Sequence, residues 1–317
     1  MLKSYREVLL DPNISLSAMT EYQSLPEYLY KYQSFNSEDG KENRYWRQNI
    51  RGAFHLSLGS EFEDYNDCRP YMDKNEVCKI IEDFMVNCSS TKLDMEVLNG
   101  IREELEKVLT NEYLESIMAN YRNQIRIGCF TVLSDNMKMW EKYANDKTGF
   151  CLQYSTEKSE LFKYSTLPVL YSTKPYNSSL SLASQIILES SRIGKGRSEE
   201  EHLKIYEPIY QKSLKTGYIP LFIKEASRWS FEQEYRMFLL KNRNTQIGML
   251  RANEVLDGNS NINLSEAITA IYLGENFDNN VNYETMKEEI IQIATEMKIR
   301  VFQKKSDCGR YINEVIL

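Results

Sequence analysis

The chain is poor in the residues on which much metal and nucleophile chemistry depends. Among its 317 residues there are two histidines, His55 and His202, which argues against a multi-histidine zinc site and leaves few partners for a Ser-His or Cys-His dyad. Its six cysteines, Cys68, Cys78, Cys88, Cys129, Cys151 and Cys308, form no CxxC pair, and several sit in apolar runs. They read as free thiols of a reducing cytoplasm. Glycine (13) and proline (7) are scarce, and no Gly-rich fingerprint follows a strand, which counts against a doubly wound dinucleotide fold. No apolar run approaches the roughly 18 residues of a membrane span, and the opening MLKSYREVLLDPNISLSAMT is too charged for a signal peptide. A basic excess is missing as well. Lys and Arg number 39 against 46 Asp and Glu, a net charge of -7, so a grip on nucleic-acid phosphates is not favoured.

What the chain has is the balance of a globular protein, with 42% hydrophobic and 27% charged residues, and an unusual wealth of tyrosine, 22 in all. The expectation is a single globular domain over 1–317. Strands are predicted at EYLYKYQSF (Glu27 to Phe35), GAFHLSLGS (Gly52 to Ser60), IRIGCFTVLSD (Ile125 to Asp135), GFCLQY (Gly149 to Tyr154), LPVLYS (Leu167 to Ser172), WSFEQEYRMFLL, AITAIYLGENF (Ala267 to Phe277) and Ile299 to Gln303. Helical spacing runs from Lys74 to about Asn120, over Asn136 to Asn145, and near Tyr283 to Met297. A Ser-, Glu- and Lys-rich stretch, 178–216, reads as a helical insertion with a large solvated surface. Strands and helices alternate without a βαβ period. The fold class is therefore α+β, a mixed or antiparallel central sheet with flanking helices.

WSFEQEYRMFLL is the sharpest chemical feature. Read as a strand, it puts Glu232, Glu234 and Arg236 on one face and Trp229, Phe231, Tyr235 and Met237 on the other. Two neighbouring carboxylates raise at least one pKa, and Arg236 favours the ionised forms, so the row suits a general base or an acceptor of ribose hydroxyls. A half-exposed strand edge with a local ion pair is the plainer reading of the same pattern. The loop EFEDYNDC gathers Glu61, Glu63, Asp64 and Asp67, a set able to hold a divalent cation or simply to form a solvated Asx turn. In MKMWEKYANDKTGFCLQY, Trp140, Tyr143 and Ala144 share a helical face. Such a stripe is core more often than ligand wall, and Cys151 beside it reads as a buried thiol.

Taken together, LYKYQSF, the ND of the acidic loop, GCFTVLSDNMKMWEKYANDKTGFCLQY, WSFEQEYR and AIYLGENF give a chain that resembles the bacterial domain of unknown function 2971 family. That family recurs in C-F-S, M-W-x-x-Y-A, G-F-C and W-x-x-E-x-E-Y-R segments; here the first reads CFT. The likeness spans about 28–277 and implies an accessory or defence-associated bacterial protein. A fainter likeness is to the layout of ADP-ribosyltransferases, which split NAD at the nicotinamide-ribose bond. It implies that Glu234 stabilises the transition state through a ribose hydroxyl and that Glu232 orients the acceptor. Thr131 or Ser134 would support the ribose, with Tyr32 and Trp140 as pocket walls and Tyr143 and Arg236 beside them. Gln33 stands where that layout wants a gripping Arg or His, which leaves Lys31 or Arg126 to supply the charge.

Three functions follow as expectations. The first is a cytoplasmic, toxin-like or phage-defence effector with an NAD-using site, a protein acceptor or partner and no resident metal. A Mg²⁺ nuclease built on Asp67, Glu232 and Glu234 is the second. The third is a non-enzymatic sensor or scaffold that binds a partner through 178–216.

Overall fold

A computed structural model describes residues 4–11, 13–14, 19, 24–36, 41–88, 94–123, 125–193, 213, 215–240, 261–307 and 310–317. The fold is α+β. Its centre is a nine-stranded sheet in the order β13-β12-β11-β5-β1-β4-β9-β6, with β3 also pairing β4. The strands are β1 (Tyr28–Gln33), β3 (Ser57–Leu58), β4 (Ile125–Thr131), β5 (Phe150–Ser155), β6 (Thr166–Pro168), β9 (Glu234–Leu240), β11 (Ile268–Leu273), β12 (Arg300–Asp307) and β13 (Arg310–Val315). β11 and β12 run parallel and the remaining pairs are antiparallel, so the sheet is mixed. Two small ribbons flank it, β2 (Ala53–His55) with β10 (Asn261–Asn263), and β7 (Leu170–Ser172) with β8 (Ile223–Glu225).

Most of the expected strands end differently, and Gly52 to Ser60 and Leu167 to Ser172 each divide in two, β2 with β3 and β6 with β7. β1 and β4 are shorter than Glu27 to Phe35 and Ile125 to Asp135, and the last expected strand is followed by the hairpin partner β13. The largest change lies at WSFEQEYR. Ser230–Glu232 is a turn of 3-10 helix, Gln233 takes a left-handed conformation (φ 43°), and β9 begins only at Glu234. Strict alternation thus starts two residues late, and Trp229 is freed from the opposite face.

The helices form where periodicity and caps agree. The stretch from Lys74 is three helices, Lys74–Cys88, Met95–Val108 and Asn111–Arg122, the latter two capped by Asp94 and Thr110 side chains. Ser179–Ile193, the start of the expected 178–216 insertion, is a helix with Leu182, Ala183 and Ile187 buried against Val77 and Ile81. Residues 194–212 and 214 of that stretch lie outside the described residues. A short helix, Tyr5–Leu10, which the sequence pattern did not suggest, is closed by a Ser4–Glu7 capping box.

The main core lies where Phe35, Trp46, Phe150 and Phe277 pack edge to face or tilted, and where Phe54 stacks on Phe130. Gly128 is required there, since a Cβ at that position would collide with the Phe54 ring. After the helix Met137–Tyr143, Asn145, Asp146 and Lys147 are all left-handed, a tight reversal that returns the chain into β5. Among the described residues no helix is long and apolar enough to cross a membrane.

Candidate functional site

A pocket of about 260 Å³ opens on the sheet beside β1, β4 and the start of β9. Its floor is charged and closely bonded. Glu232 and Glu234 are 3% and 4% exposed, and Lys224, on β8, reaches both: its Nζ donates to Glu232 Oε2 at 2.6 Å and to Glu234 Oε2 at 3.0 Å, and lies 3.6 Å from Asp67 Oδ2. Behind them Arg236, fully buried, spends all five N–H donors. They go to Glu234 Oε1 (2.7 Å) and Oε2 (3.2 Å), Asp67 Oδ2 (2.8 Å), Leu221 O (2.7 Å) and Cys68 Sγ (3.0 Å).

Each side chain is set by local structure. The turn that ends in left-handed Gln233 brings Glu232 over the pocket, where the Tyr143 hydroxyl donates to its Oε1 in a short hydrogen bond. Tyr171, opposite Lys224 in the β7–β8 ribbon, accepts from the Glu234 backbone N–H at 2.9 Å and so fixes the first residue of β9. Trp229 forms a wall: its Nε1 donates to Asp64 Oδ2 at 2.8 Å, while Lys142 and Lys224 lie 4.6 and 4.7 Å from its ring. The Asn136 side chain caps Met137–Tyr143 and also donates to Phe231 O at 2.7 Å, tying that helix to the turn.

These surroundings drive the two glutamates apart. Burial pushes both pKa values up. For Glu234 the guanidinium of Arg236 and the ammonium of Lys224 outweigh burial and hold its carboxyl well below the usual range. For Glu232 burial and the neighbouring Glu234 charge outweigh Lys224 and Tyr143, so it is raised. Lys224 loses to burial but gains more from Glu234, Asp67 and Glu232, and its pKa rises; it stays an ammonium and is no Schiff-base nucleophile. Burial also pushes the Cys129 thiol, on the pocket wall, and the Cys151 thiol up, away from the reactive thiolate.

The residues expected from the sequence are only partly gathered. Glu232, Glu234, Tyr32, Lys31, Thr131 and Tyr143 line the pocket. Thr131 has already donated its proton to Glu232 O (2.6 Å) and accepts from Leu133 N, and Tyr32 donates to Leu133 O, so both hydroxyls hold the frame. Lys31 is on the wall, yet its ammonium stands 5.7 Å over the Phe54 ring. Three expected contacts fall outside the cavity. Trp140 is fully buried beneath Tyr32, ring to ring at 5.0 Å, and its Nε1 binds the Ser134 carbonyl; neither it nor Ser134 lines the pocket. Arg236 supports Glu234 from behind, with no donor left for a ligand. Arg126 binds Leu56 O, and Gln33 accepts from Asn49, both away from the pocket.

Sequence reasoning missed Lys224 and Trp229 and gave Asp67 only a metal-binding role. The place a cation would take among Asp67, Glu232 and Glu234 is filled by Lys224 and Arg236. Among the described residues no group of three or more His, Cys, Asp or Glu is arranged to hold a metal ion.

The class defined by fold and site is thus an α+β protein with a buried carboxylate pair, its two pKa values pushed in opposite directions, in an aromatic pocket. Residues 139–237 match the model of the family described as Protein of unknown function (DUF2971). The matched span holds Tyr143, Lys224, Trp229, Glu232, Glu234 and Arg236, most of the charged floor. No curated protein and no solved structure matches the chain.

Proposed function

We propose that the pocket breaks an N-glycosidic ribosyl bond, with NAD as donor, and passes the ribosyl group to an acceptor or to water. The observation that carries this reading is the pair of buried glutamates on the pocket floor with unequal partners, Glu234 bonded to Arg236 and Lys224 and Glu232 to Lys224 and Tyr143, which lowers the first while burial raises the second. A carboxylate kept ionised in a buried pocket opposes the positive charge that develops on a ribosyl carbon as its bond to nitrogen breaks. The bonding pair leaves with nicotinamide, which departs neutral because its ring nitrogen is cationic in the donor. The incoming oxygen or nitrogen forms the new bond to that carbon, and its proton passes to Glu232 in its ionised form. Tyr143 orients the receiving oxygen.

The walls suit such a donor. Trp229, Phe62 and Tyr30 offer flat apolar faces to a nicotinamide ring, and the volume falls just under the roughly 300–1,000 Å³ of small-molecule sites, room for one half of a dinucleotide. The biological setting implied by the resemblance is a bacterial effector of toxin or phage-defence type acting in the cytoplasm, in keeping with the free thiols of Cys68, Cys78, Cys129 and Cys151.

Nicotinamide release from NAD by the purified protein tests the chemistry. We expect release by the wild type and a loss of about a hundredfold or more in Glu234→Gln. Silence from a folded wild type, with and without added cell lysate as acceptor, overturns the reading.

A further inference from the structure

A second pocket, about 310 Å³, lies on the far side of Lys224. Asp64, Asp67 and Lys224 line both cavities, so a thin partition of charged side chains separates them. Across that partition the chemistry changes. The carboxylates facing the second pocket are already engaged: Asp64 accepts from Trp229 and Asn66 N–H, Asp67 from Arg236, and Glu225 from the Ser227 hydroxyl. Arg69 is likewise held by Glu115 at 2.5 Å. The groups left over are donors. Among the described residues, the Lys174 ammonium and the side chains of Tyr71, Tyr176, Thr173 and Asn66 make no hydrogen bond or ion pair within the protein.

Backbone hydrogen bonds tie the frame that holds these donors. Tyr71 N–H donates to Tyr176 O at 3.2 Å, and Ser178 N–H donates to Tyr71 O at 2.7 Å, so two chain segments remote in sequence are stitched into one rim. Tyr71 remains 45% exposed although its backbone is fixed on both sides. Tyrosine faces and prolines beside an unpaired ammonium and several free donors fit a flat ring that carries an anion.

We propose that this second pocket is a nucleoside-phosphate subsite, with the base against Tyr71 and Tyr176 and the phosphate at Lys174. The subsite adjoins the pocket of the proposed NAD reaction and extends that reading. Its occupant is either the adenylate half of the donor, reaching past the partition, or a nucleotide acceptor awaiting the ribosyl group. The shared chemistry is a nucleoside 5′-phosphate.

AMP serves as the probe, in calorimetric titrations of the full chain. We expect AMP to bind the wild type, with roughly tenfold weaker binding in Lys174→Glu and in Tyr71→Ala, the scale of one lost contact. Both side chains are exposed, and circular dichroism verifies that the variants fold. Adenosine should bind more weakly than AMP and be indifferent to Lys174→Glu. Absence of AMP binding, or binding equal in the wild type and both variants, overturns the subsite. Competition separates the two sources: NAD that displaces AMP one for one identifies the donor's own adenylate, whereas NAD that binds together with AMP identifies an acceptor. AMP binding is read without turnover, so a protein that binds AMP but releases no nicotinamide keeps the subsite and loses the reaction.

Discussion

Two buried lysines in this fold are held in opposite ways. Lys304, on β12, has a side chain 1% exposed; its ammonium meets Asp135, which is 60% exposed, and lies 4.8 Å over the Tyr272 ring. Lys224 is 9% exposed and meets three carboxylates that are all buried, with Arg236 as the second cation. In the first case the acid is served by water and the aromatic face shares the charge, so the pair is closed. In the second, three acids against two bases leave one negative charge over when all are ionised. Burial first, and the Glu234 charge beside it, raise Glu232, whereas Lys304 and Asp135 form a simple pair.

The comparison breaks most visibly at Arg236. Arg236→Met strands Glu234 and Asp67 without their deepest counter-charge and should cost about 3–5 kcal/mol in denaturant unfolding. A loss below about 1 kcal/mol would show that the cluster is hydrated and its charges screened.

A subtler test uses acidity. Glu234 is lowered, so its contribution to stability is present above the unfolded value near pH 4.3 and fades as pH falls through the lower folded value. Glu232 is raised, so its contribution is present below that value and is lost as pH rises through the folded one. Hence Glu234→Gln should lose stability relative to wild type at neutral pH and converge with it in acid, while Glu232→Gln should gain relative to wild type as pH rises. Parallel pH profiles for the two variants would contradict the divergence.

The smallest effect belongs to the other lysine. Lys304→Met leaves an exposed Asp135 to water and an apolar side chain against Tyr272 and Tyr311, so the melting temperature should change by the equivalent of no more than about 1 kcal/mol.

Which parts of this were legible in the sequence follows from the physics of each signal. Helical spacing exposed the helices from Lys74 to Arg122, and apolar, aromatic or β-branched runs exposed the strands β1, β4, β5 and β11, of which β5 is buried at every position. The Glu232–Glu234–Arg236 row stood out because three charges fall within five residues. Lys224 did not, since a lysine in IKE is ordinary until folding sets β8 across the pocket from β9. Trp229 was assigned to the wrong side because the alternation of a strand was carried back through Gln233, and a glutamine gives no warning of a left-handed conformation. Trp140 was expected both as a core residue and as a pocket wall; the structure places it beneath Tyr32, one layer under the wall.

Asp67 and Arg236 are 169 residues apart in the chain. Lys224, Glu232 and Glu234 lie close to Arg236 in sequence, but the acid that completes the cluster arrives only when the loop around Asp64 and Asp67 has closed against β9. Closing so long a loop costs chain entropy that contacts between sequence neighbours do not. A nascent or damaged chain therefore carries its two glutamates without their full set of counter-charges, and the pocket's protonation pattern comes into being together with the finished fold.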